Sequence, residues 1–457
     1  MFSKETYAQR RAVLKKRVGS GLLLFLGNDE MGLNYADNNF RYRQDSTFLY
    51  YFGLSFAGLS AIIDIDQDKE YIVGDELTID DIVWMGIQPT LKEKSERVGV
   101  VNTLPSSALG DYLQRAKQKG QTIHYLPPYR PEHKIKLQAW LDIPFAAQEG
   151  SLPFIRAVID QRNYKTDEEI VEIEKACNIT ADMHLAAMKM LRPGMKEYEI
   201  AGAIEAIAFA SGGNLSFPTI ATINGQTLHN HYHGNTASSG QLFLLDAGAE
   251  TEMGYAGDMS STFPVDRKFT PRQREVYEIQ NAMHHAAVAA LRPGITYMEV
   301  YELSAKKMVE GLKELGLMKG DVESAVREGA HAMFYPHGLG HMMGLDVHDM
   351  ENFGEVWVGY NGQPKSTQFG RKSLRLGRTL ETGFVLTVEP GVYFIPELMD
   401  KWRAEKRFME YLNYDAMEKY KDFGGIRNEE DYLITADGAR RLGKYIPVKP
   451  DEVEAIR

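Results

Sequence analysis

Gln241–Glu250 reads QLFLLDAGAE, and Gly254–Val265, shortly after it, reads GYAGDMSSTFPV. The first is an apolar run of strand length that ends on Asp246, with Gly248 just beyond it. The second is a strand-like run entered through Asp258. Paired as a hairpin, the two runs would bring both carboxylates face to face at a distance where a cation can be shared. Asp residues also flank turns for conformational reasons alone. The end of a buried apolar run is a less usual place for a charge, and it is where a function would show.

Three later segments add polar groups of the same kind. Phe334–Asp349, FYPHGLGHMMGLDVHD, places His337, His341 and His348 within twelve residues. His337 and His341 are four apart, as in helical zinc sites, but Gly338 and Gly340 between them predict a glycine-rich turn, and no Glu follows the first His. Phe384–Tyr393, FVLTVEPGVY, carries Glu389 at the end of a β-favouring run, where a carboxylate is costly unless paired or metal-bound. Phe423–Ile434, FGGIRNEEDYLI, if extended, puts Arg427, Glu429 and Asp431 on one face and Ile426, Asn428 and Glu430 on the other. Arg427 is then expected to hold the Glu429 carboxylate. Asp246, Asp258, His341, Glu389 and Glu429 together make a hard, oxygen-rich donor set. It suits two divalent ions, Mn²⁺ first, with Zn²⁺ or Co²⁺ as alternatives.

Composition narrows the function from the other side. The chain has 457 residues, 52 Lys plus Arg against 63 Asp plus Glu, and a formal charge of −11. Such an acidic chain is a poor nucleic-acid binder, because phosphate recognition needs a basic face. Its one cysteine, Cys177, makes neither an internal disulfide nor a thiolate cage. On its helical face Cys177 reads as a small buried residue, not a nucleophile. The longest apolar run near the amino terminus is Leu22–Leu26, too short for a signal core or a membrane span. A reducing cytoplasm and no membrane partner are therefore expected.

Residues 1–160 read as a mixed α/β domain. Leu22–Leu26, Leu59–Ile65 and Tyr71–Val73 have strand length, and Ala108–Lys119 is helical and stops at Gly120. Leu126–Pro131 and Pro144–Pro153 read as punctuation, and a boundary falls near 155–165. Residues 161–457 form the second domain, opening with a capping box at Thr166 and Glu169. Leu191-Arg192-Pro193-Gly194 recurs as Leu291-Arg292-Pro293-Gly294, each copy following an Ala/Met-rich helix and preceding another (Glu197–Ala210; Tyr297–Leu315). That context predicts an internal duplication, with each Gly as a left-handed cap and a crevice between the copies.

The five segments, in this order, resemble the metallopeptidase family of methionine aminopeptidase, aminopeptidase P and prolidase. YRQDSTFLYYFG (42–53) resembles the N-terminal domain shared by aminopeptidase P and prolidase. The resemblance implies an α/β N-terminal domain followed by an α+β pita-bread catalytic domain with a pseudo-twofold internal repeat. It implies Asp246, Asp258, His341, Glu389 and Glu429 as metal ligands, with Glu389 also a proton shuttle. His231 would line the substrate site, its neighbours His229 and His233 being alternatives. His337 would sit over the substrate, and His348 would contact the reacting carbonyl. Arg427 matches an Arg behind the ligands; Asn428, where Ile is usual, is expected to face away from the metals. RKSLRLGRTLETG (371–383) and the insert 394–425 resemble prolidase, with Arg375 gripping a dipeptide's carboxylate, although 371–378 also reads as a basic surface loop. The implied activity is Xaa-Pro dipeptide hydrolysis, with aminopeptidase P action on longer peptides as the alternative. Remoter alternatives are an inactive peptide-binding module and creatinase-like chemistry. Proline-containing peptides would be the substrates, and a homodimer, or alternatively a tetramer, the implied assembly.

Overall fold

Leu22–Leu26 (LLLFL) forms strand β1, apolar on both faces, so the chain must cover it twice. In the computed structural model, which describes residues Met1–Arg457, β1 joins β2 (Ser60–Asp64), β3 (Lys69–Val73), β4 (Asn102–Leu104) and β5 (Ile123–His124) in a sheet of order β4-β3-β2-β1-β5. β1 runs antiparallel to β2, with Leu22 opposite Asp64, and parallel to β5. Leu22 and Leu24 share one core with Leu109 and Leu113 of helix α1 (Leu109–Gln118) and Leu137 and Leu141 of α2 (Pro131–Leu141). Phe25 points the other way, into Tyr51, Phe52 and Phe154. α2 begins at the last residue of the punctuating stretch Leu126–Pro131: Pro131 occupies the first turn, where its missing N–H costs nothing, and so starts a helix. The helix Ser46–Phe52 is buried throughout, and Asp45 caps it by accepting the Phe48 N–H at 2.8 Å. Gly53 ends it at φ +61°, with the Tyr7 ring filling the space a Cβ would need.

This first unit comprises Met1–Arg162 and Met350–Gly354; the second comprises Asn163–Asp349 and Glu355–Arg457. The second opens with α3 (Asp167–Met190), whose capping box pairs Thr166 and Glu169. Ile173, Cys177 and Thr180 are buried on its inner face. The Cys177 thiol donates to Asp431 Oδ2 at 3.1 Å, and burial pushes its pKa up, the opposite of what a nucleophile needs.

Both Leu-Arg-Pro-Gly copies make the same connection. α3 leads through Gly194 into α4 (Glu197–Ala210), and α5 (Pro271–Ala290) leads through Gly294 into α6 (Tyr297–Glu314). Gly194 donates to Ala237 O at 2.8 Å and Gly294 to Leu380 O at 2.9 Å, while Lys196 bridges Thr236 and Thr296 bridges Thr379. The glycines are not the helix caps the sequence suggests. The helices stop at extended Leu191 and Leu291, and the positive φ of +94° and +90° comes three residues later, where the chain turns into the next helix.

Each helix pair carries a small sheet. β6 (Ile220–Thr222), β7 (Leu242–Ala247) and β8 (Met259–Pro264) are ordered β8-β7-β6. β9 (Val385–Val388), β12 (Glu430–Ile434) and β13 (Ala439–Arg441) are ordered β9-β12-β13, and β10 (Gly391–Tyr393) pairs with β11 (Gly425–Arg427). β8 is the free edge of the first sheet, and one backbone bond joins the second half to it: Glu429 N donates to Ser260 O at 2.9 Å. The loop between His341 and Asp349 is pinned by an ion pair of Lys165 and Asp349 at 2.9 Å, both side chains 1% exposed.

Removing one partner of a pair this buried strands the other charge. Asp349→Asn is expected to cost about 3–5 kcal/mol in denaturant unfolding, and the double variant Lys165→Met/Asp349→Leu much less. Equal losses in the two variants would show that the pairing contributes nothing.

Candidate active site

The β7–β8 hairpin sets Asp246 opposite Ser260. Asp258 lies two residues before Ser260, so by strand alternation it shares the face of Asp246. The predicted hairpin therefore brings both carboxylates to one side. Residues 334–349 contain no α-helix, in line with the glycine-rich turn expected there. The glycines let this loop lie against β9: a Cβ on Gly340 would stand 2.2 Å from Thr387 O. Backbone bonds from Thr387 N to His341 O (3.0 Å) and from Glu389 N to Leu339 O (2.8 Å) then fix the two segments together. His341 Nε2 ends 3.3 Å from Asp258 Oδ2 and 3.7 Å from Glu389 Oε1. The His348 ring meets that of His341 edge-on, with centroids 4.3 Å apart.

Arg427 lies behind these groups, and its partner differs from the expectation. Nη2 donates to Asp246 at 2.5 Å, not to Glu429. It reaches Glu429 only through Ser260, whose hydroxyl accepts from Arg427 Nε at 3.0 Å and donates to Glu429 Oε2 at 2.7 Å. The reason is that extended pairing breaks between β11 and β12, so strand parity does not carry from Arg427 to Glu429. The third guanidinium donor, Nη1, goes to Tyr393 OH at 2.8 Å, a residue the sequence reading did not single out. With its oxygen accepting from Arg427, the Tyr393 hydroxyl donates to His337 Nε2 at 2.8 Å. His337 Nδ1–H then donates to Gly338 O at 2.7 Å, which fixes the neutral tautomer. Burial and the nearby Arg427 charge push the His337 pKa down to about 3, consistent with that assignment.

The site is starved of positive charge. Burial, then the Asp246 charge, pushes Asp258 up to about 8; desolvation and the Asp258 charge push Glu389 up to about 8. Glu429 rises well above the carboxylate range through burial and the Asp258, Glu389 and Asp246 charges. Burial alone would lower Arg427, but Tyr393 and the surrounding carboxylates reverse that and keep it charged. Arg427, even with Arg375 facing the same cavity, leaves four carboxylates short of positive charge, and divalent cations would supply it. Donor atoms of Asp258, His341 and Glu429 lie within 4.8 Å of one another, all three residues buried. Asp246, drawn to Arg427, and Glu389, with 18% of its side chain exposed, stand outside that tightest group. The donor set fits hard or borderline divalent ions.

All ten residues singled out from the sequence line one cavity of about 570 Å³: Asp246, Asp258, His341, Glu389, Glu429, His231, His337, His348, Arg375 and Arg427. His229 lines it too, whereas His233 is held elsewhere, its Nε2 3.1 Å from Thr219 O. Phe217, Pro218, Ile220, Leu228 and Val347 add an apolar wall that carried no motif in the sequence. The 371–378 segment is not a plain surface loop. Leu374 and Leu376 are fully buried, and Arg375 between them turns to the cavity, its Nε 3.7 Å from Glu355 Oε1.

Buried carboxylates and an imidazole converging on a cavity between two related half-sheets define a metal-dependent hydrolase of the pita-bread type. Residues 171–436 match Metallopeptidase family M24, and residues 7–124 match the aminopeptidase P N-terminal domain. The chain belongs to metallopeptidase family M24. It is 32% identical to the Xaa-Pro aminopeptidase of Escherichia coli K12 over 473 residues, covering 99% of this chain and 98% of that one. Identity to the human Xaa-Pro dipeptidase is 29% over 443 residues, 95% of this chain and 88% of the other. Zinc-substituted E. coli aminopeptidase P in complex with product superposes with a TM-score of 0.81 at 30% identity, covering 100% of this chain and 98% of that one.

Metal-free protein should show the charge imbalance directly. Asp258 and Glu389 have folded pKa values above those of the unfolded chain, so between about pH 4 and pH 8 the folded state holds protons that the unfolded state has released. Stability is therefore expected to fall as pH rises through that window, and Mn²⁺ to flatten the trend. A metal-free Tm that rises from pH 5 to pH 8, with no response to Mn²⁺, would refute the shared-charge description.

Proposed function

We propose that this chain is a metal-dependent exopeptidase that hydrolyses the Xaa-Pro bond at a peptide N-terminus, acting first on Xaa-Pro dipeptides. The observation that carries the reading is the single cavity in which the carboxylate–imidazole set, His348 and the Arg375 guanidinium face the same space. Asp246, Asp258, His341, Glu389 and Glu429 would hold two divalent ions, Mn²⁺ first, with Zn²⁺ or Co²⁺ as alternatives. Ions bound there supply Lewis acidity toward the scissile carbonyl and activate a water for attack on it.

The remaining work falls to the chain's own groups. Glu389 has the most exposed side chain of the cavity carboxylates, 18% against 12% for Asp246 and 6% for Asp258, and it carries a proton to the departing proline nitrogen. His348 donates to the carbonyl oxygen as negative charge builds there. His337, neutral and tied to Tyr393 and Gly338, presents a fixed ring over the ligand, and His231 contacts it from the 229–233 segment. The wall of Phe217, Ile220 and Leu228 excludes water and receives the apolar parts of the peptide. Arg427 holds Asp246 in place. Arg375 grips the free carboxylate of a dipeptide and so makes substrate length a specificity determinant.

Action on longer peptides is the second reading. It is favoured by full-length likeness to aminopeptidase P, and it would leave Arg375 without a partner in the substrate. A cytoplasmic location, from the single cysteine, and a homodimer, from the family resemblance, complete the proposal. No helix is long and apolar enough to cross a membrane.

Metal-stripped protein titrated with Mn²⁺ should cleave Ala-Pro in preference to Ala-Pro-Ala. Arg375→Ala should then raise KM for Ala-Pro roughly 10–100-fold, the worth of one charge-assisted hydrogen bond. Preferential cleavage of the tripeptide moves the assignment to aminopeptidase P. Glu389→Gln should lower kcat by about 100-fold or more while the protein stays folded, and a folded, active variant would remove Glu389 from the proton path.

A further inference from the structure

We propose that Asn428 and Gln280 form an amide clasp that sets the spacing of the metal-binding carboxylates across the two half-sheets, so that metal affinity depends on it. The proposal rests on the ligand assignment above. Asn428 is 1% exposed, does not line the cavity, and sits between Arg427, which holds Asp246, and Glu429. Its Oδ1 accepts the Thr262 N–H at 2.9 Å and the Tyr277 hydroxyl at 3.3 Å. Its Nδ2 donates to Gln280 Oε1 at 2.6 Å, and Gln280 Nε2 donates to Pro390 O at 2.8 Å and to Asn428 O at 3.3 Å.

These few bonds join three segments that each carry a ligand. Thr262 belongs to β8, which Asp258 precedes; Pro390 follows Glu389; Asn428 precedes Glu429. Tyr277 and Gln280 lie three residues apart on one face of α5, so a single rigid helix surface addresses all three segments. The bonds also repair a gap in the backbone pairing. β8 is an edge strand, and beyond the bond from Glu429 N to Ser260 O no backbone carbonyl arrives to take the Thr262 N–H. The Asn428 side-chain amide takes it instead. Thr262 Oγ1 closes the same edge by donating to Arg427 O at 2.9 Å. An apolar side chain at 428 would fill the volume, yet strand the Thr262 N–H and Gln280 Oε1 and remove the side-chain link from β8 to α5. Groups that orient metal ligands from behind in this way commonly govern affinity by about 10–100-fold.

The test is calorimetric titration of metal-stripped, full-length protein with MnCl₂, alongside the metal-free Tm. Asn428→Leu should weaken Mn²⁺ binding by about 10–100-fold. Gln280→Leu/Asn428→Leu, which removes both amides together, should recover much of the metal-free Tm but not the affinity, and it carries the test if the single variant folds poorly. A lowered Tm with wild-type Mn²⁺ affinity would make the clasp purely structural and overturn the proposal, as would affinity restored in the double variant. Wild-type protein that binds no Mn²⁺ would instead remove the ligand assignment, and the proposal with it.

Discussion

Four carboxylates, Asp246, Asp258, Glu389 and Glu429, converge on one cavity, with Arg427 hydrogen-bonded among them and Arg375 facing the same space. Charges of one sign brought together out of water repel one another and lose hydration at the same time. The surrounding fold is organised around tolerating that arrangement. Arg427 is fully committed, with its three donor nitrogens on Asp246, Tyr393 and Ser260. Neutral hydroxyls carry its influence onward, through Ser260 to Glu429 and through Tyr393 to His337. What remains unbalanced is a demand for cations, which is the property a metallopeptidase of family M24 exploits.

The duplicated architecture explains how such a cluster is assembled. Each helix pair with its Leu-Arg-Pro-Gly connection supports a small sheet, and neither sheet holds the full donor set. Asp246 and Asp258 come from the first half, His341, Glu389 and Glu429 from the second. The halves meet along the free edge of β8, where Ser260 accepts from Glu429. Edge strands are normally a liability; here the open edge is the seam at which the site is put together.

Much of this was legible in the residues. Apolar runs with a carboxylate at one end marked Asp246, Asp258 and Glu389, because a charge at the end of a buried strand is costly unless it is paired or metal-bound. Gly338 and Gly340 correctly argued for a loop, and the structure shows why: each glycine lets the backbone touch a neighbouring segment. Thr166 and Glu169 marked a helix start that local hydrogen bonding alone decides. The misses are equally physical. The helix Pro131–Leu141, which begins where the punctuating stretch Leu126–Pro131 ends, carried no pattern that was read as helical. Arg427 was paired with Glu429 by strand parity, and parity lapses where the chain changes strand partners. His229, His231 and His233 are alike in sequence, and only packing turns His233 onto Thr219 O and the other two toward the cavity.

The sequence by itself determined the family, the order of the carboxylate- and histidine-bearing segments and the kind of chemistry, because side-chain type and local periodicity are properties of short stretches. The tertiary structure alone decided which groups touch. It assigned Arg427 to Asp246, turned Arg375 into the cavity between two buried leucines, and supplied an apolar wall from residues with no motif. It also placed Gln280 of one helix beside Asn428, 148 residues away. Contacts of that separation follow from how two half-sheets close on each other, and no local pattern in a chain encodes that closure.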